Sequence, residues 1–490
     1  DIYLLELNGR YDGSSRFPRH SHWAFFPSVS LGYRFSEEPY FKQLRHVVSN
    51  GKLRASFGEI GNEAVGDYMF ESLITQVDRD DVHWVDGNQE NANKLPMFNT
   101  PNLVEPILTW ERIRTTDVGL DLGFLNNELS VGFDWYQREN TDMLAPSQVL
   151  PQVLGTDAPM ANAGTLRTRG WELTLDWHHR FGEFNVYANF NLADSKTVVT
   201  KWESKAKLLN QNYSGKTYGD IWGFETDRYF EESDFTGQNA DGTWNYANGI
   251  ASQKGLEQGS FHYGPGDVKF KDLDGNGVID GGEGTADKHG DLKVIGNFLP
   301  RYEYSFHLGG AWRGFDLDLF FQGVGKRHVW TVSSMNFPLM READLAIYDH
   351  QLSYNRVIYK NGLKDVERYE VNQANKYPRL FPGNDPQGNI SVIDAGTNNY
   401  YPQSRYLTDM SYLRLKNVTL GYTLPKELTR KAYIQKARIY LSASNLFLLY
   451  KGNDLPVDPE INAGAGLKYG GWGRTAPITR TLSFGMQVTL

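Results

Sequence analysis

The stretch RTLSFGMQVTL that runs to residue 490 alternates strictly. Leu482, Phe484, Met486, Val488 and Leu490 point one way, and Thr481, Ser483, Gly485, Gln487 and Thr489 the other, because successive side chains of an extended chain leave opposite faces. The same rhythm returns upstream. Leu129, Val131, Phe133 and Trp135 alternate with Ser130, Gly132 and Asp134, and Trp171, Leu173, Leu175 and Trp177 with Glu172, Thr174 and Asp176. Tyr302, Tyr304, Phe306 and Leu308 form one apolar set, and Phe315, Leu317, Leu319 and Phe321 the next. This period predicts about a dozen strands, near 1–11, 23–35, 52–60, 113–124, 129–142, 165–178, 184–198, 302–312, 315–324, 412–424, 437–449 and 480–490.

A soluble sandwich alternates too. Three features favour a membrane wall instead. The apolar faces carry Trp, Tyr and Phe near segment ends, as in the aromatic girdles of membrane barrels. The segments exceed the ~5–6 residues usual for soluble strands. From residue 113 onward every second connection is the shorter one: 125–128, 179–183, 313–314 and 425–436, against 199–301 and 325–411. Short periplasmic turns alternating with long extracellular loops are the habit of an outer-membrane barrel. The expected fold class is therefore all-β, a transmembrane antiparallel up-and-down β-barrel with long extracellular loops. Glu172, Asp176, Asp316 and Asp318 would then line a polar lumen, where solvating the wall is their ordinary task.

Composition narrows the function. There is no cysteine, which removes disulfides, thiolate metal sites and cysteine nucleophiles and suits an oxidising compartment. No apolar run is long enough for a transmembrane helix. The formal charge is −9 with both signs interspersed, so nucleic acid is not an expected partner. The chain opens on Asp1 with no signal-like segment, which implies either processing or a longer parent.

One motif carries chemistry. KDLDGNGVIDGGE (271–283) satisfies the twelve-residue calcium-loop pattern, with Gly277 at its sharp turn. Asp272, Asp274, Asn276, the Val278 carbonyl, Asp280 and Glu283 could supply the oxygens that Ca²⁺, or Mg²⁺, requires. The flanks are too rich in glycine for the usual helices, and connection parity puts the loop outside the cell. The plainer reading is an acidic surface turn. His20 with His22, and His178 with His179, lack a partner cluster in sequence and read as interfacial or loop residues. Trp222, Trp244, Tyr246, Trp330 and Phe337 could stack on sugar rings or clamp peptide side chains, but ordinary loop packing is the expectation for each. No H-E-x-x-H, G-x-S-x-G or Walker pattern occurs, so no catalytic residues are expected.

A series of collinear motifs resembles one family. LNGRYDGSSRF (7–17), FPSVSLGYRFSEEPYF (26–41), KLRASFGEIGN (52–62), NAGTLRTRGWELTL (162–175) and GDVKFKDLDGNGVID (266–280) look like the barrel of SusC/RagA-type TonB-dependent transporters. So do IGNFLPRYEYSFHLGGAWRGFDLDLFFQGVG (295–325), YLRLKNVTLGYTLP (412–425), SASNLF (442–447) and DPEIN (458–462). The resemblance implies a 22-stranded barrel with a plugged lumen. Residues 1–490 would form its C-terminal part, with the plug and TonB-contacting segment in sequence outside this chain, and 199–301 an extracellular loop. Members usually end in Phe where this chain has Leu490. The implied setting is the outer membrane of a Gram-negative, Bacteroidetes-like bacterium, among membrane lipid and lipopolysaccharide. The implied partners are a SusD-like surface lipoprotein and the TonB–ExbB–ExbD complex. The implied activity is active import of large nutrients, most commonly oligosaccharides. RagA-type import of oligopeptides, or a passive receptor or adhesin barrel, are the alternatives.

Overall fold

The computed structural model describes residues 2–74, 76, 85–86, 93–94, 98–99, 101, 103–146, 158–259, 261–330, 336–338, 347–360, 366–380, 399–460 and 478–490. Twelve strands hydrogen-bond in chain order into one antiparallel sheet. They are β1 (Tyr3–Gly13), β2 (Trp23–Tyr33), β3 (Val48–Asn62), β4 (Glu111–Phe124), β5 (Leu129–Pro146) and β6 (Met160–Phe181). The rest are β7 (Phe184–Lys201), β8 (Arg301–Trp312), β9 (Phe315–Lys326), β10 (Tyr412–Thr423), β11 (Lys436–Lys451) and β12 (Thr481–Thr489). Each coincides with a segment marked by the alternation, and several run further at their ends. Among the described residues no helix is long and apolar enough to cross a membrane. A sheet of this kind crosses with strands, whose backbone groups pair with each other.

The tight turns explain why neighbours in sequence are neighbours in the sheet. Arg313 and Gly314 both have positive φ, 48° and 88°, the signature of the two-residue hairpin whose twist suits the flanking strands. Leu125, Asn126 and Asn127 are all left-handed between β4 and β5, and asparagine tolerates that region better than most residues.

The chain divides into two compact units, Asp1–Leu175 with Asp194–Tyr218, and Asp176–Ala193 with Gly219–Leu490. In the second unit the register sorts the faces. Met486 lies opposite Ile439, Ile439 opposite Tyr422, Tyr422 opposite Phe315, Phe315 opposite Trp312, and Trp312 opposite Phe184. Two residues along each strand the row reads Phe484, Leu441, Leu420, Leu317, Gly310 and Val186, and nearly all its large side chains are exposed. The other face reads Gln487–Arg438 and Gly485–Tyr440–Gly421–Asp316. There Arg438 Nε donates to Asp316 Oδ1 at 3.0 Å, while Asp318 takes bonds from His307 (2.7 Å) and Tyr187. The expected split is present: Leu482, Phe484, Met486 and Val488 share the apolar face, and Ser483, Gly485 and Gln487 the polar one. Asp316 and Asp318 are on the polar face as expected, and Asp176 bonds Asn189 at 2.6 Å on that face as well.

The first unit repeats the arrangement. Leu53, Ala55 and Phe57 of β3 face Leu120, Val118 and Thr116 of β4, and these face Phe133, Trp135 and Gln137 of β5. The opposite face holds Arg54, bonded to both oxygens of Asp121 (2.8 and 2.9 Å) and to Asp134 (3.0 Å). Phe26 of β2 joins Phe17, Leu108 and Trp110 in a buried cluster.

Candidate functional site

The connection from β7 to β8 is folded on two short hairpins. Asp220–Phe224 pairs with Leu292–Asn297, and Thr226–Tyr229 pairs with Val268–Phe270. Their core is Phe224, Tyr229, Val268, Phe270 and Ile279, and aromatic residues from the β9–β10 connection complete it: Phe337, Tyr377, Tyr400 and Tyr406. Burying so much aromatic surface offsets the entropy of ordering long loops. An ion pair between the fully buried Asp267 and the largely buried Arg379 fastens the two connections. Asp267 Oδ2 accepts from Arg379 Nε and Nη2 at 2.9 and 2.7 Å, and its Oδ1 accepts from Asn399 at 2.8 Å.

The acidic loop grows from these hairpins. Lys271 precedes it and Lys293 follows it, and both bind Glu225, which sits where the two hairpins join. The two ammonium groups, that of Lys271 first, hold the Glu225 carboxyl down to about 2. Strands therefore stand where helices would flank such a loop, and one glutamate closes its base. Within the loop, Asp272 accepts from the Gly275 and Gly277 amides (2.7 and 2.9 Å), Asp274 from Asn276 N (3.1 Å), Asn276 from Val278 N (2.7 Å), and Asp280 from Gly282 N (2.7 Å). Gly277 has φ 82°, as its place in the motif requires. Ile279 is anchored in the core, with its amide bonded to Ser252 O at 2.8 Å.

Asp272 and Asp274 bring carboxylate oxygens within 4.8 Å of one another and of Asp291. Asp291 is beyond the twelve-residue window, so the motif did not reveal it. It is fully buried, and it accepts the Leu273 and Asp280 amides at 2.6 and 3.0 Å. Asp280 and Glu283 are outside that group, and Glu283 binds Lys288 at 2.5 Å. The four histidines singled out in the sequence are not part of it.

A cavity of about 470 Å³ opens beside the aromatic core, within the range of small-ligand sites. Phe337, Lys376, Tyr377, Arg405, Asp409 and Asp454 are among its lining residues. The Tyr377 hydroxyl is enclosed with no hydrogen-bond partner among the described residues. The loop aromatics named from the sequence are packing residues. Phe337 stacks on Tyr400 at 4.2 Å, Trp330 packs on Phe337, Trp244 and Tyr246 on Phe235, and Trp222 against His289.

A sheet with one apolar and one ion-paired face, and with large folded loops, is matched by the family model described as TonB dependent receptor-like, beta-barrel, over residues 1–446. The chain belongs to this family. TonB-dependent receptor P3 of Formosa agariphila is 27% identical over 516 residues, covering 99% of this chain and 44% of that protein. TonB-dependent receptor SusC of Bacteroides thetaiotaomicron is 26% identical over 479 residues, covering 94% and 40%. Among solved structures, the RagAB peptide importer in its closed-closed state superposes with a TM-score of 0.64 at 21% identity, over 99% of this chain and 46% of that one. The chain is thus a SusC/RagA-like TonB-dependent receptor barrel of the outer membrane, and it spans less than half the length of the curated relatives it matches.

Proposed function

We propose that this TonB-dependent receptor barrel takes part in active import of large nutrients across the outer membrane, with oligosaccharides as cargo. The observation that carries the reading is the two-faced sheet: an exposed apolar face suited to lipid, and an opposite face of ion pairs such as Arg54–Asp121 and Arg438–Asp316 suited to a watery lumen. In this reading the folded loops meet a SusD-like lipoprotein, and TonB–ExbB–ExbD acts through a plug outside this chain. The cavity beside the aromatic core, where Lys376, Arg405, Asp409 and Asp454 stand next to Phe337 and Tyr377, is of a size that suits part of such a cargo. The likeness in fold to the RagAB importer favours oligopeptides as the second reading. Uptake of labelled oligosaccharides and oligopeptides, compared in the parent strain, in a strain lacking the complete transporter and in one lacking TonB, separates these. Loss of oligosaccharide uptake in both mutants supports import. Uptake that ignores TonB favours a passive barrel, and loss of peptide uptake alone favours the second cargo.

The acidic loop supports a second element of the proposal, a divalent cation, Ca²⁺ before Mg²⁺. Asp272 and Asp274 would be ligands, with Asn276, the Val278 carbonyl, Asp280 and Glu283 as read from the motif, and Asp291 as an added carboxylate beneath them. Oxygen ligands in an irregular loop suit the flexible coordination of Ca²⁺ better than the strict octahedron of Mg²⁺. Calorimetry with calcium on the complete protein and on Asp272→Ala/Asp274→Ala tests it. Absence of binding to the unaltered protein at millimolar calcium would leave the loop an acidic turn.

A further inference from the structure

The outward face of the first unit changes character along its length. From the 125–128 turn upward, β4, β5 and β6 present Leu122 and Val131, then Leu120 and Phe133, then Val118, Trp135 and Trp171. Phe133 and Trp171 are stacked, with ring centroids 6.5 Å apart. The next positions on the same face are charged. Arg169 Nε donates to Gln137 Oε1 and Arg167 Nε to Glu139 Oε1, both at 2.7 Å. Arg114 lies opposite Glu139 in the β4–β5 register. The Thr168–Thr197 hydroxyl bond and the Thr200–Thr165 bond fix β6 against β7 and set Lys196 across from Arg169. Arg114, Arg169 and Lys196 are exposed and Arg167 is half-buried.

Depth can be worked out from the strand. From Phe124 to Arg114, at ~3.4 Å per residue and a tilt of ~40°, the rise is about 26 Å, the height of a barrel's apolar band. The basic row therefore stands at the upper edge of the hydrocarbon, on the side of the long loops, which face the outer leaflet. Acids are present on this face too: Glu139, the buried Glu59 that binds Arg112 at 2.5 Å, and the buried Asp194. Arg112, Arg114, Arg167, Arg169 and Lys196 outnumber them. A polar lumen explains the ion pairs of the inner face, but it cannot explain a basic excess on the lipid side.

We propose that Arg114, Arg167, Arg169 and Lys196 bind the phosphate of an outer-leaflet glycolipid whose acyl chains lie on the apolar rows below. Guanidinium groups suit phosphate oxygens through paired, charge-assisted bonds. Long basic side chains reach from the edge of the hydrocarbon into the headgroup layer while their stems stay apolar. The apolar band is continuous with the basic row, so a single lipid meets both. Bases and acids on this face remain partly paired with each other, and the lipid phosphate takes the surplus.

The complete transporter in detergent is examined by native mass spectrometry and thermal unfolding with four additives: phosphorylated lipid A, the same lipid after phosphatase treatment, phosphatidylethanolamine, and inorganic phosphate. The proposal expects retained adducts and raised stability with phosphorylated lipid A alone. Arg114→Gln/Arg167→Gln/Arg169→Gln/Lys196→Gln should bind it about tenfold more weakly, the scale of losing one charge-assisted bond or two. Replacing the three arginines by lysine keeps the charge but not the paired guanidinium bonds, and should leave binding between that of the glutamine variant and the unaltered protein. Heat-modifiable gel migration reports whether each variant is folded, and Arg169→Gln/Lys196→Gln gives the same reading if the fourfold change does not fold. Equal binding of the dephosphorylated lipid overturns the proposal, as does unchanged binding by a folded variant. Stabilisation by inorganic phosphate alone overturns it in favour of a free-anion site.

Discussion

Leu308 offers a direct test of which face meets lipid. It is 41% exposed and lies opposite Ala188 of β7 and Leu319 of β9, so the sheet itself gives a substituted side chain no polar partner. Trp312 marks the short-turn end of the same strand, beside Phe315 and Phe184. From Trp312 to Leu308, at ~3.4 Å per residue and ~40° tilt, the rise is about 10 Å, close to the middle of a ~25 Å band. Leu308→Arg should therefore cost ~2–4 kcal/mol, and the same change at Trp312 or Met486, near the interface, only ~0–1 kcal/mol. The larger figure shifts the unfolding equilibrium by roughly thirty-fold to several-hundred-fold. Ser305→Arg on the opposite, wet face serves as control, and it should cost less than Leu308→Arg. The assay is denaturant unfolding of the complete barrel in phospholipid vesicles, followed by tryptophan fluorescence. If Leu308→Arg costs no more than Ser305→Arg, the apolar face does not lie in hydrocarbon and the membrane assignment of the sheet is wrong.

Arg379→Leu leaves Asp267 buried without its partner and should cost ~3–5 kcal/mol of local stability, whereas Arg379→Leu/Asp267→Leu should recover much of it. Hydrogen exchange at Val268–Phe270 reads both. Glu225 gives a pH dependence: its carboxyl is held from the ordinary 4.5 to about 2 by Lys271 and Lys293. A depressed acid contributes stability that is present above its unfolded value and lost as pH falls toward 2. Proteolysis of the 271–293 segment by pepsin should therefore rise between about pH 4.5 and 2, and Glu225→Gln should flatten that rise. For the acidic loop, Asp291→Asn should weaken calcium binding if Asp291 is a ligand. Equal calorimetric affinity in this variant and the unaltered protein would restrict the ligands to the motif itself.

The sheet was legible because its order is local. Each long strand buries or exposes residues at a period of two, and each tight turn pairs it with the next, so a one-residue pattern suffices to find all twelve. The strand ends were less legible. β6 extends from Met160 to Phe181, well past the segment read at 165–178, because pairing continues into the loops after the membrane-facing alternation stops. The outward basic row lies inside the segments read as strands, at 113–124, 165–178 and 184–198. Arg167 and Arg169 follow the same alternation as Trp171, and only their bonds to Glu139 and Gln137 of β5, with the threonine bonds to β7, show that they face outward together.

The loops were illegible for the converse reason: their contacts are distant in sequence. Tyr229 and Tyr406 share a hydroxyl contact of 3.3 Å, and Arg379 reaches back to Asp267. No window of sequence holds both partners, so the core that Tyr229, Tyr377, Tyr400 and Tyr406 build between the two connections has no signature in the sequence. The acidic loop lies between the two cases. Its motif is local and was found, yet its base is not local. Glu225 holds Lys271 and Lys293 together, and Asp291 returns beneath the turn to accept Leu273 and Asp280 amides. In a helix–loop–helix unit the two helices fix the ends of such a loop. Here two short antiparallel strand pairs and one clamped carboxylate do so, and the ends are set by the protein's own contacts. A loop fixed in this way gives up less conformational entropy on binding. Opening the clamp with Glu225→Gln should therefore weaken calcium binding even though Glu225 touches no proposed ligand. An unchanged affinity in that variant would mean that the turn alone, through its own Asp and Asn bonds, sets the geometry.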